Sequence, residues 1–258
     1  MKKSVLVVAL AIGVTSAFAQ DLTSKKGEKF LPETGDWAIG FDAVPVLNAV
    51  GRTMGGSSST TMFNPQGISN YIVAKMFKDE KTAYRASLGL NFGTVTSKTL
   101  VNDVTSTSTP PAQVTNEVKN SSNNITLGVG MEKRRGNTRL QGYYGGMLLI
   151  NLGGSKTTNT YGNAFSATNT GSRVTSNKVG GTFGLGVSGF IGAEYFIAPK
   201  LSIGAEYGWG LSFSSTGEGE VVTETYTTSL TTTTTKTAGG SSFGLGNSIS
   251  SIMVNFHF

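Results

Sequence analysis

Hydrophobic and polar positions alternate without interruption from Leu201 to Phe213. Every odd position in this stretch is bulky or apolar, and every even position is glycine, serine or glutamate. A period of two over so long a stretch predicts a β-strand with one apolar face. A soluble sandwich would carry charged residues and threonine on its other face, whereas glycine suits a crowded concave surface. The pattern is therefore typical of a membrane-barrel strand, with large residues facing lipid and small ones facing the lumen.

Other segments of the chain alternate in the same way and give eight predicted strands in all. They span residues 36–49, 67–77, 82–95, 123–133, 138–152, 179–196, 201–214 and 241–258. Each has room for the ~9–11 residues that cross a bilayer as a tilted strand, and no segment after the N-terminal leader approaches the ~20 apolar residues of a spanning helix. If the mature chain enters a membrane, it does so as strands.

The connections between the predicted strands alternate between short and long. Tight turns at 78–81, 134–137 and 197–200 follow strands two, four and six. The other connections are long and rich in serine, threonine, asparagine and glycine, at about 50–66, 96–122, 153–178 and 215–240. All the tight turns therefore lie at one end of the strands and all the long connections at the other. This arrangement predicts an all-β, eight-stranded antiparallel up-and-down transmembrane barrel, closed by pairing of its first and last strands. Ten strands remain an alternative if 96–122 or 215–240 contributes another pair.

The loop at 215–240 has strong β propensity because it is rich in threonine and valine. It predicts an extension of strands seven and eight into a projecting hairpin, with its turn near Ser229 and an edge open to strand addition by a partner. A disordered polar loop is the alternative, because polythreonine has no apolar face to bury.

The N-terminus has the features of a secretory signal. Lys2 and Lys3 precede an apolar run from Val5 to Val14, and small residues at Ala17 and Ala19 predict cleavage after Ala19. The predicted organisation is a signal peptide at 1–19, a short periplasmic segment at 20–34 and the barrel at 35–258. Removal of the signal leaves 19 basic and 15 acidic residues and lowers the net charge from +6 to +4. A charge so weak and dispersed gives no indication of a nucleic-acid partner, and the absence of cysteine excludes disulfides.

Seven charged residues point into the predicted lumen when bulky residues are placed outward. They are Asp42, Lys75, Arg85, Glu132, Arg139, Glu194 and Glu206. The second strand is ambiguous, and Lys75 is assigned inward mainly because a lipid-facing lysine at mid-depth would cost a few kcal/mol. In a lumen barely wide enough for side chains, these groups are expected to pair with one another and to plug the periplasmic half.

The last predicted strand changes its phase part-way along. Phe243, Leu245 and Ile249 are odd-numbered, whereas the apolar residues from Ile252 to Phe258 are even-numbered. A β-bulge near Ser250 and Ser251 would reconcile the two halves.

The tail "SIMVNFHF", with Ile252, Val254, Phe256 and Phe258 in step, resembles the C-terminal signature of outer-membrane barrels. The phrases "YIVAKMFKDEKTAYRASLGLNFG" and "YFIAPKLSIGAEYGWG" are similar to strand-turn-strand units of the small outer-membrane β-barrel domain family, the OmpA/OmpX-like group common in Bacteroidota. The resemblance covers about 35–258. It implies the fold, insertion by the barrel-assembly machinery of Gram-negative bacteria through the C-terminal signature, and location in the bacterial outer membrane.

Aromatic residues lie where two girdles are expected. Trp37, Tyr84, Tyr195, Phe256 and Phe258 lie near the predicted turns. Phe92, Trp209 and Phe213 lie near the loop ends. Core aromatics of a secreted sandwich are the alternative.

Candidate catalytic chemistry is sparse. "GLGVSG" at 184–189 matches a dinucleotide motif but continues as a strand instead of opening a helix. His257 is the sole histidine, expected on the strand surface at the periplasmic rim, and the carboxylates Glu218, Glu220 and Glu224 indicate a solvated loop face. We therefore expect no enzyme, no cofactor and no metal site.

Two function classes remain at this stage. The first is an outer-membrane barrel with a structural role, or with a surface-interaction role carried by its loops. The alternative is a narrow, porin-like channel for small solutes. The partners expected are outer-membrane lipid, the barrel-assembly machinery and an extracellular protein or surface ligand; the sequence names no ligand and no oligomeric state.

Overall fold

The computed structural model describes residues 22–43 and 71–258. Within these ranges the chain forms eleven β-strands. They are β1 (Trp37–Asp42), β2 (Tyr71–Asp79), β3 (Thr82–Asn102), β4 (Gln113–Arg135), β5 (Leu140–Thr160), β6 (Gly171–Lys178), β7 (Thr182–Ala198), β8 (Leu201–Thr216), β9 (Gly219–Tyr226), β10 (Leu230–Thr237) and β11 (Gly240–His257). No helix in the described ranges is long and apolar enough to cross a membrane.

Eight of these strands close into a ring. The order around the ring is β1, β2, β3, β4, β5, β7, β8 and β11, and neighbouring strands pair antiparallel. Pairing of β11 with β1 closes the ring and places Ala38 opposite His257. Closure leaves no open sheet edge toward hydrocarbon. The predicted eight-stranded antiparallel barrel is confirmed.

The two faces of the barrel wall differ as the alternation requires. Along β8, from Ser202 to Gly208, even-numbered residues are buried and odd-numbered residues are exposed. The outward residues include large apolar side chains such as Val129, Val187 and Trp209, which are 60%, 59% and 54% exposed. Such a surface is stable only against lipid.

Three strands arise in segments expected to be long loops. Strand β6 pairs with the end of β5 and with β9, and β9 pairs with β10. The hairpin predicted near Ser229 is present, with its turn at 227–229. However, β9 and β10 are separate strands beyond β8 and β11, and they lie outside the ring. The alternative of ten ring strands is therefore wrong.

The hairpin of β3 and β4 is also longer than expected. Its pairing runs without a register shift from Thr82 opposite Lys133 to Asn102 opposite Gln113. Only 103–112 remain as its loop. Together with the end of β5 and strands β6, β9 and β10, this hairpin forms a sheet beyond one end of the barrel, which we call the extracellular sheet because the long connections are expected to face outward.

The bulge in the last strand lies slightly earlier than predicted. The register of β11 against β8 shifts between Asn247 and Ile249, and not at Ser250 and Ser251. Beyond the shift, Ile252, Val254, Phe256 and Phe258 lie on the outer face and the odd-numbered residues are buried.

Some predictions fall outside the described residues. These are the signal peptide at 1–19, the far end of the first predicted strand at 44–49, the loop at 50–66 and the start of the second predicted strand at 67–70. They stay predictions.

Candidate functional site

Six charged side chains meet inside one half of the barrel. Strand β2 contributes Lys75, β3 contributes Arg85, β4 contributes Glu132 and Arg134, β7 contributes Glu194 and β8 contributes Glu206. None of the six side chains is more than 2% exposed. We call this group the luminal charge cluster. It contains three cations and three anions, so its formal charges cancel.

Glu132 lies at the centre of the cluster. Its carboxylate is 2.7 Å from Nη1 of Arg134, 3.2 Å from Nζ of Lys75 and 3.5 Å from Nη1 of Arg85. One carboxylate therefore links cations from three strands. Replacing Glu132 with a neutral residue would leave three buried cations without one of their carboxylate partners. Removing one partner of a buried ion pair is strongly destabilising, because the remaining charge stays buried and uncompensated.

The other two carboxylates complete the network on either side. Glu194 accepts from Nη2 of Arg134 at 2.7 Å and from Nζ of Lys75 at 3.4 Å. Glu206 accepts two hydrogen bonds from Arg85, at 2.8 and 3.3 Å. The Arg85–Glu206 contact is bidentate, the geometry that suits a guanidinium best.

Neutral polar side chains satisfy the outer atoms of the cluster. Gln141 accepts from Nε of Arg134 at 2.8 Å, and Asn255 donates to Oε1 of Glu194 at 2.7 Å. The hydroxyl of Ser202 donates to the same oxygen of Glu194. These contacts join β5, β7, β8 and β11 to the cluster, so that it cross-links most of the ring.

Aromatic rings fill the space around the cations. The guanidinium of Arg85 lies 4.1 Å from the ring centre of Phe190, and the ammonium of Lys75 lies 4.8 Å from that of Tyr143. Each ring lies over the glycine opposite it: Tyr143 is in register with Gly192, and Phe190 with Gly145. A Cβ at Gly192 would come within 2.4 Å of the Tyr143 ring, and one at Gly145 within 2.6 Å of the Phe190 ring. The backbone carbonyls of Met131 and Ala205 would lie within 2.0 and 2.6 Å of the same two Cβ atoms, so the backbone and the rings together exclude a side chain at both positions.

The structure brings together five of the seven charged residues predicted for the lumen. Lys75, Arg85, Glu132, Glu194 and Glu206 all belong to the cluster. The ambiguous second strand has Lys75 on its inner face, together with Val73 and Phe77.

The other two predicted charges lie elsewhere. Asp42 is half-buried at the end of β1. Arg139 precedes the first residue of β5 and is half-buried, and it is not among the six residues of the cluster. Its guanidinium lies 3.6 Å from the ring centre of Phe30, in the N-terminal segment.

The residue that sequence reasoning missed is Arg134. The sequence predicts a turn at 134–137, but β4 continues to Arg135 and the inward phase of Glu132 extends to residue 134. Continuing the alternation from Glu132 by two residues would have placed Arg134 in the lumen.

The N-terminal segment lies against the same end of the barrel. Phe30 is 6% exposed, and the amide of Gly35 donates to the carbonyl of Phe77 at 2.8 Å. The amide of Phe77 in turn donates to the carbonyl of Asp36 at 2.9 Å. Residues 30–36 therefore border the end of the lumen that carries the short turns, next to the charge cluster.

His257 is buried, which corrects its expected place on the strand surface. Its ring lies between Phe77 and Phe196, and its Nε2 is 3.0 Å from the Ser202 hydroxyl and 3.3 Å from Glu194. In a catalytic triad the two imidazole nitrogens have different partners. Here the same nitrogen faces both groups, while Nδ1 is buried and has no hydrogen-bond partner among the described residues. The arrangement therefore lacks the geometry of a triad.

The other half of the lumen contains a polar cavity. Its volume is about 460 Å³, and its inward lining includes Thr126, Asn151, Ser188, Ser212 and Ser214. No charged side chain of the described ranges lines it. The hydroxyl of Ser188 is buried and has no hydrogen-bond partner in the described part of the chain. The lumen is thus divided into a charged half at the end with the short turns and an uncharged half with a cavity at the end with the long connections.

A sequence comparison decides the family of the chain. Residues 58–213 match the model of the putative OmpA-OmpF-like porin family, which is more than half of the 258 residues. The chain belongs to this porin family. The matched range contains all six residues of the luminal charge cluster. Membership identifies the chain as a porin-like β-barrel protein of the bacterial outer membrane.

Two solved structures are among those that resemble this porin-family chain. One is a major outer membrane protein from Thermus thermophilus, with 11% identity over 86% of this chain and 98% of that one, and a TM-score of 0.35. The other is the outer membrane protein OprG from Pseudomonas aeruginosa, with 13% identity over 89% and 98% of the two chains, and a TM-score of 0.32. Both similarities are too low to carry an argument about this chain. No curated protein matches it.

The aromatic residues predicted for the girdles of this porin-family barrel lie on its outer face. Trp37, Tyr84, Phe92, Trp209 and Phe213 are between 44% and 65% exposed. Tyr195 is half-buried in the outward phase of β7. Amphipathic rings at such positions suit the two headgroup layers.

The described residues contain no group of three or more histidines, aspartates or glutamates that could hold a metal ion. The carboxylates of the cluster already face lysine and arginine, so these cations occupy the positions that a metal would need.

Proposed function

We propose that this outer-membrane barrel is closed in its periplasmic half, and that it has a structural or surface-interaction role carried by its extracellular sheet. The observation that carries the proposal is the luminal charge cluster. Three cations and three anions from five strands fill the lumen at one level, together with the rings of Tyr143 and Phe190.

The size of the barrel supports closure. An eight-stranded barrel has an interior only just wide enough for side chains. Here the interior holds two arginines, a lysine and two large rings at neighbouring levels, and Phe30 borders the same end. An ion crossing this level would have to separate buried ion pairs, which costs several kcal/mol.

The extracellular sheet offers a surface for a partner. Strand β10 pairs with β9 on one side and with no other described strand, and all its side chains are exposed. Five consecutive threonines at 231–235 give this edge high β propensity. Strand addition is the mode of recognition that such an edge favours, and an extracellular protein is the partner that could use it.

We propose no catalytic activity. The single histidine lies at the periplasmic end of the lumen, and its neighbours Ser202 and Glu194 are fully buried. A substrate could not reach the Ser202 hydroxyl without disrupting the charge cluster.

Planar-bilayer recording tests the closure. The refolded wild-type protein is expected to give little steady conductance. The double variant Arg85→Ala/Glu206→Ala removes one bidentate ion pair and the volume of its two side chains, and it is expected to show channel openings. The control Arg135→Ala changes an exposed residue next to the cluster and is expected to behave as wild type. A stable open conductance in the wild type, unchanged in the double variant, would refute the closure.

A narrow channel is the second candidate, and the polar cavity of about 460 Å³ supports it. Its uncharged lining suits small neutral solutes. Liposome swelling distinguishes the two functions: a channel would admit small sugars into vesicles that contain the wild-type protein, and a closed barrel would not.

A further inference from the structure

The outer face of the extracellular sheet carries lysines directly above the lipid-facing band. Along β5, the outward phase runs from Leu148, Ile150 and Leu152 through Gly154 to Lys156. Pairing of β5 with β4 is free of register shifts over this range, so the phase is continuous. Lys156 therefore lies on the same face of the wall as the apolar residues below it.

A second lysine lies directly opposite the first. Lys156 is in register with Lys178 on β6, so the two side chains share a face. Lys119 of β4 lies on this face too, because Ser121 is in register with Lys156 and residue 119 is one step further along the same phase. We call Lys156 and Lys178 the lysine pair. Like charges directly opposite each other in a sheet are destabilising.

The lysine pair has no acidic partner within 4 Å among the described residues. Other lysines of the extracellular sheet have one: Lys236 is 3.0 Å from Glu218, and Lys98 is 3.7 Å from Glu117. Glu220 is in register with Lys178, yet its carboxylate forms no ion pair within 4 Å in the described part of the chain. With Lys119 on the same face, three lysines accompany the one carboxylate of Glu220, so a net positive charge is available to an anion from outside the protein.

The surface below the lysine pair is concave. A cavity of about 650 Å³ includes Phe92, Asn123, Gly154 and Gly181 in its lining and is bordered by Lys156 and Lys178. A Cβ at Gly181 would meet nothing within 4 Å. Phe92, 65% exposed, marks the upper end of the apolar band on β3. One cavity thus combines an apolar lower border with a cationic upper one.

The backbone of the lysine pair lies slightly above the lipid headgroup layer, within reach of the lysine side chains. Lys156 is four residues beyond Leu152, which is about 13 Å along a strand. At the usual tilt of a barrel strand this is roughly 10 Å of height, and the headgroup layer on each side of the hydrocarbon is about 5–7 Å thick. Lysine side chains can bend toward such a layer while their stems cover apolar surface.

We propose that the lysine pair binds the phosphate groups of a phosphorylated glycolipid in the outer leaflet. A lipid is favoured over a soluble anion because the cavity borders Phe92, the upper end of the apolar band, along which acyl chains would lie. The proposal rests on the long loops facing outward, but it does not depend on whether the lumen conducts.

Native mass spectrometry of the refolded full-length protein tests the site with lipid A as the probe. The wild type is expected to retain diphosphorylated lipid A about tenfold more tightly than the same lipid without phosphates, because two surface lysines each favour an anionic headgroup. Lys156→Gln/Lys178→Gln is expected to lose this preference. The matched control Lys98→Gln/Lys236→Gln removes two lysines that have their own carboxylates and should keep it.

Three results would overturn the proposal. The first is equal binding of the two lipids by the wild type. The second is an unchanged preference in Lys156→Gln/Lys178→Gln, with heat-modifiable migration checking that the variant is folded. If the double variant does not fold, the two single variants decide by the same criterion. The third is displacement of diphosphorylated lipid A by an equal concentration of inorganic phosphate, which would identify a site for soluble anions.

Discussion

At the scale of single residues, the difference between Arg134 and Arg139 shows what alternation can and cannot predict. Extended along each strand, the alternation places both residues inward, but Arg134 lies within β4 whereas Arg139 precedes β5. The turn between them needs only the left-handed backbone of Gly136, with φ of 114°. A charged pair next to a glycine resembles a turn in sequence, and so the sequence predicts the end of the strand too early.

Replacing Arg134 with alanine is expected to destabilise the barrel by about 3–5 kcal/mol, because it leaves Glu132 and Glu194 short of a buried partner. Denaturant unfolding of the refolded protein, followed by fluorescence of Trp37 and Trp209, measures the change. Arg135→Ala is the matched control, since its side chain is exposed. Equal stability of the two variants would contradict the role assigned to Arg134.

At the scale of elements, the ring strands were predictable and the strands of the extracellular sheet were only partly so. A ring strand has lipid on one face and the lumen on the other, and this difference produces alternation. Strand β10 has water on both faces and reads LTTTTTKT, so periodicity carries no signal there. Only the high β propensity of this segment indicated a hairpin. Propensity gives no information about pairing partners, so the pairing of β9 with β6 was not predictable.

The end of β11 is expected to be decisive for membrane insertion. Phe258 exchanges backbone hydrogen bonds with Trp37 at 2.8 and 2.9 Å and is 57% exposed on the outer face. Phe258→Asp puts a charge on the lipid-facing side of the closing strand and disrupts the predicted assembly signal, so the amount of protein in the outer membrane should fall severalfold. Immunoblots of fractionated cells measure it, with Phe258→Tyr as the control. Normal levels of the aspartate variant would disprove the assignment of the tail.

At the scale of the whole molecule, alternation and connection lengths were enough to predict the ring, while the contacts across the lumen were not predictable. Alternation tells which side chains point inward, but not which of them meet. Lys75 and Glu194 lie 119 positions apart in sequence and 3.4 Å apart in space. Their meeting depends on the register of every strand between them, and a shift of one residue in any strand would reverse its faces.

Limited proteolysis of intact cells tests the orientation of the molecule. A broad-specificity protease should cut within 103–112 and 161–170, which connect strands at the end that we assign to the cell exterior. It should spare the turn at 136–139 and the turn between β7 and β8, which we assign to the periplasm. Peptide mapping by mass spectrometry locates the cuts, and permeabilised cells provide the control. Cleavage at 136–139 in intact cells would reverse the assignment.

The long hairpin of β3 and β4 also determines how far the protein reaches from the cell. Its paired backbone continues for ten residues beyond Phe92, to Asn102, which is about 33 Å along the strand. That length is comparable to the ~30 Å thickness of the hydrocarbon core itself. With the long connections facing outward as we propose, a macromolecule excluded from the bilayer surface would still reach residues 103–112. The hairpin would then act as a spacer that holds the tip of the protein away from its barrel.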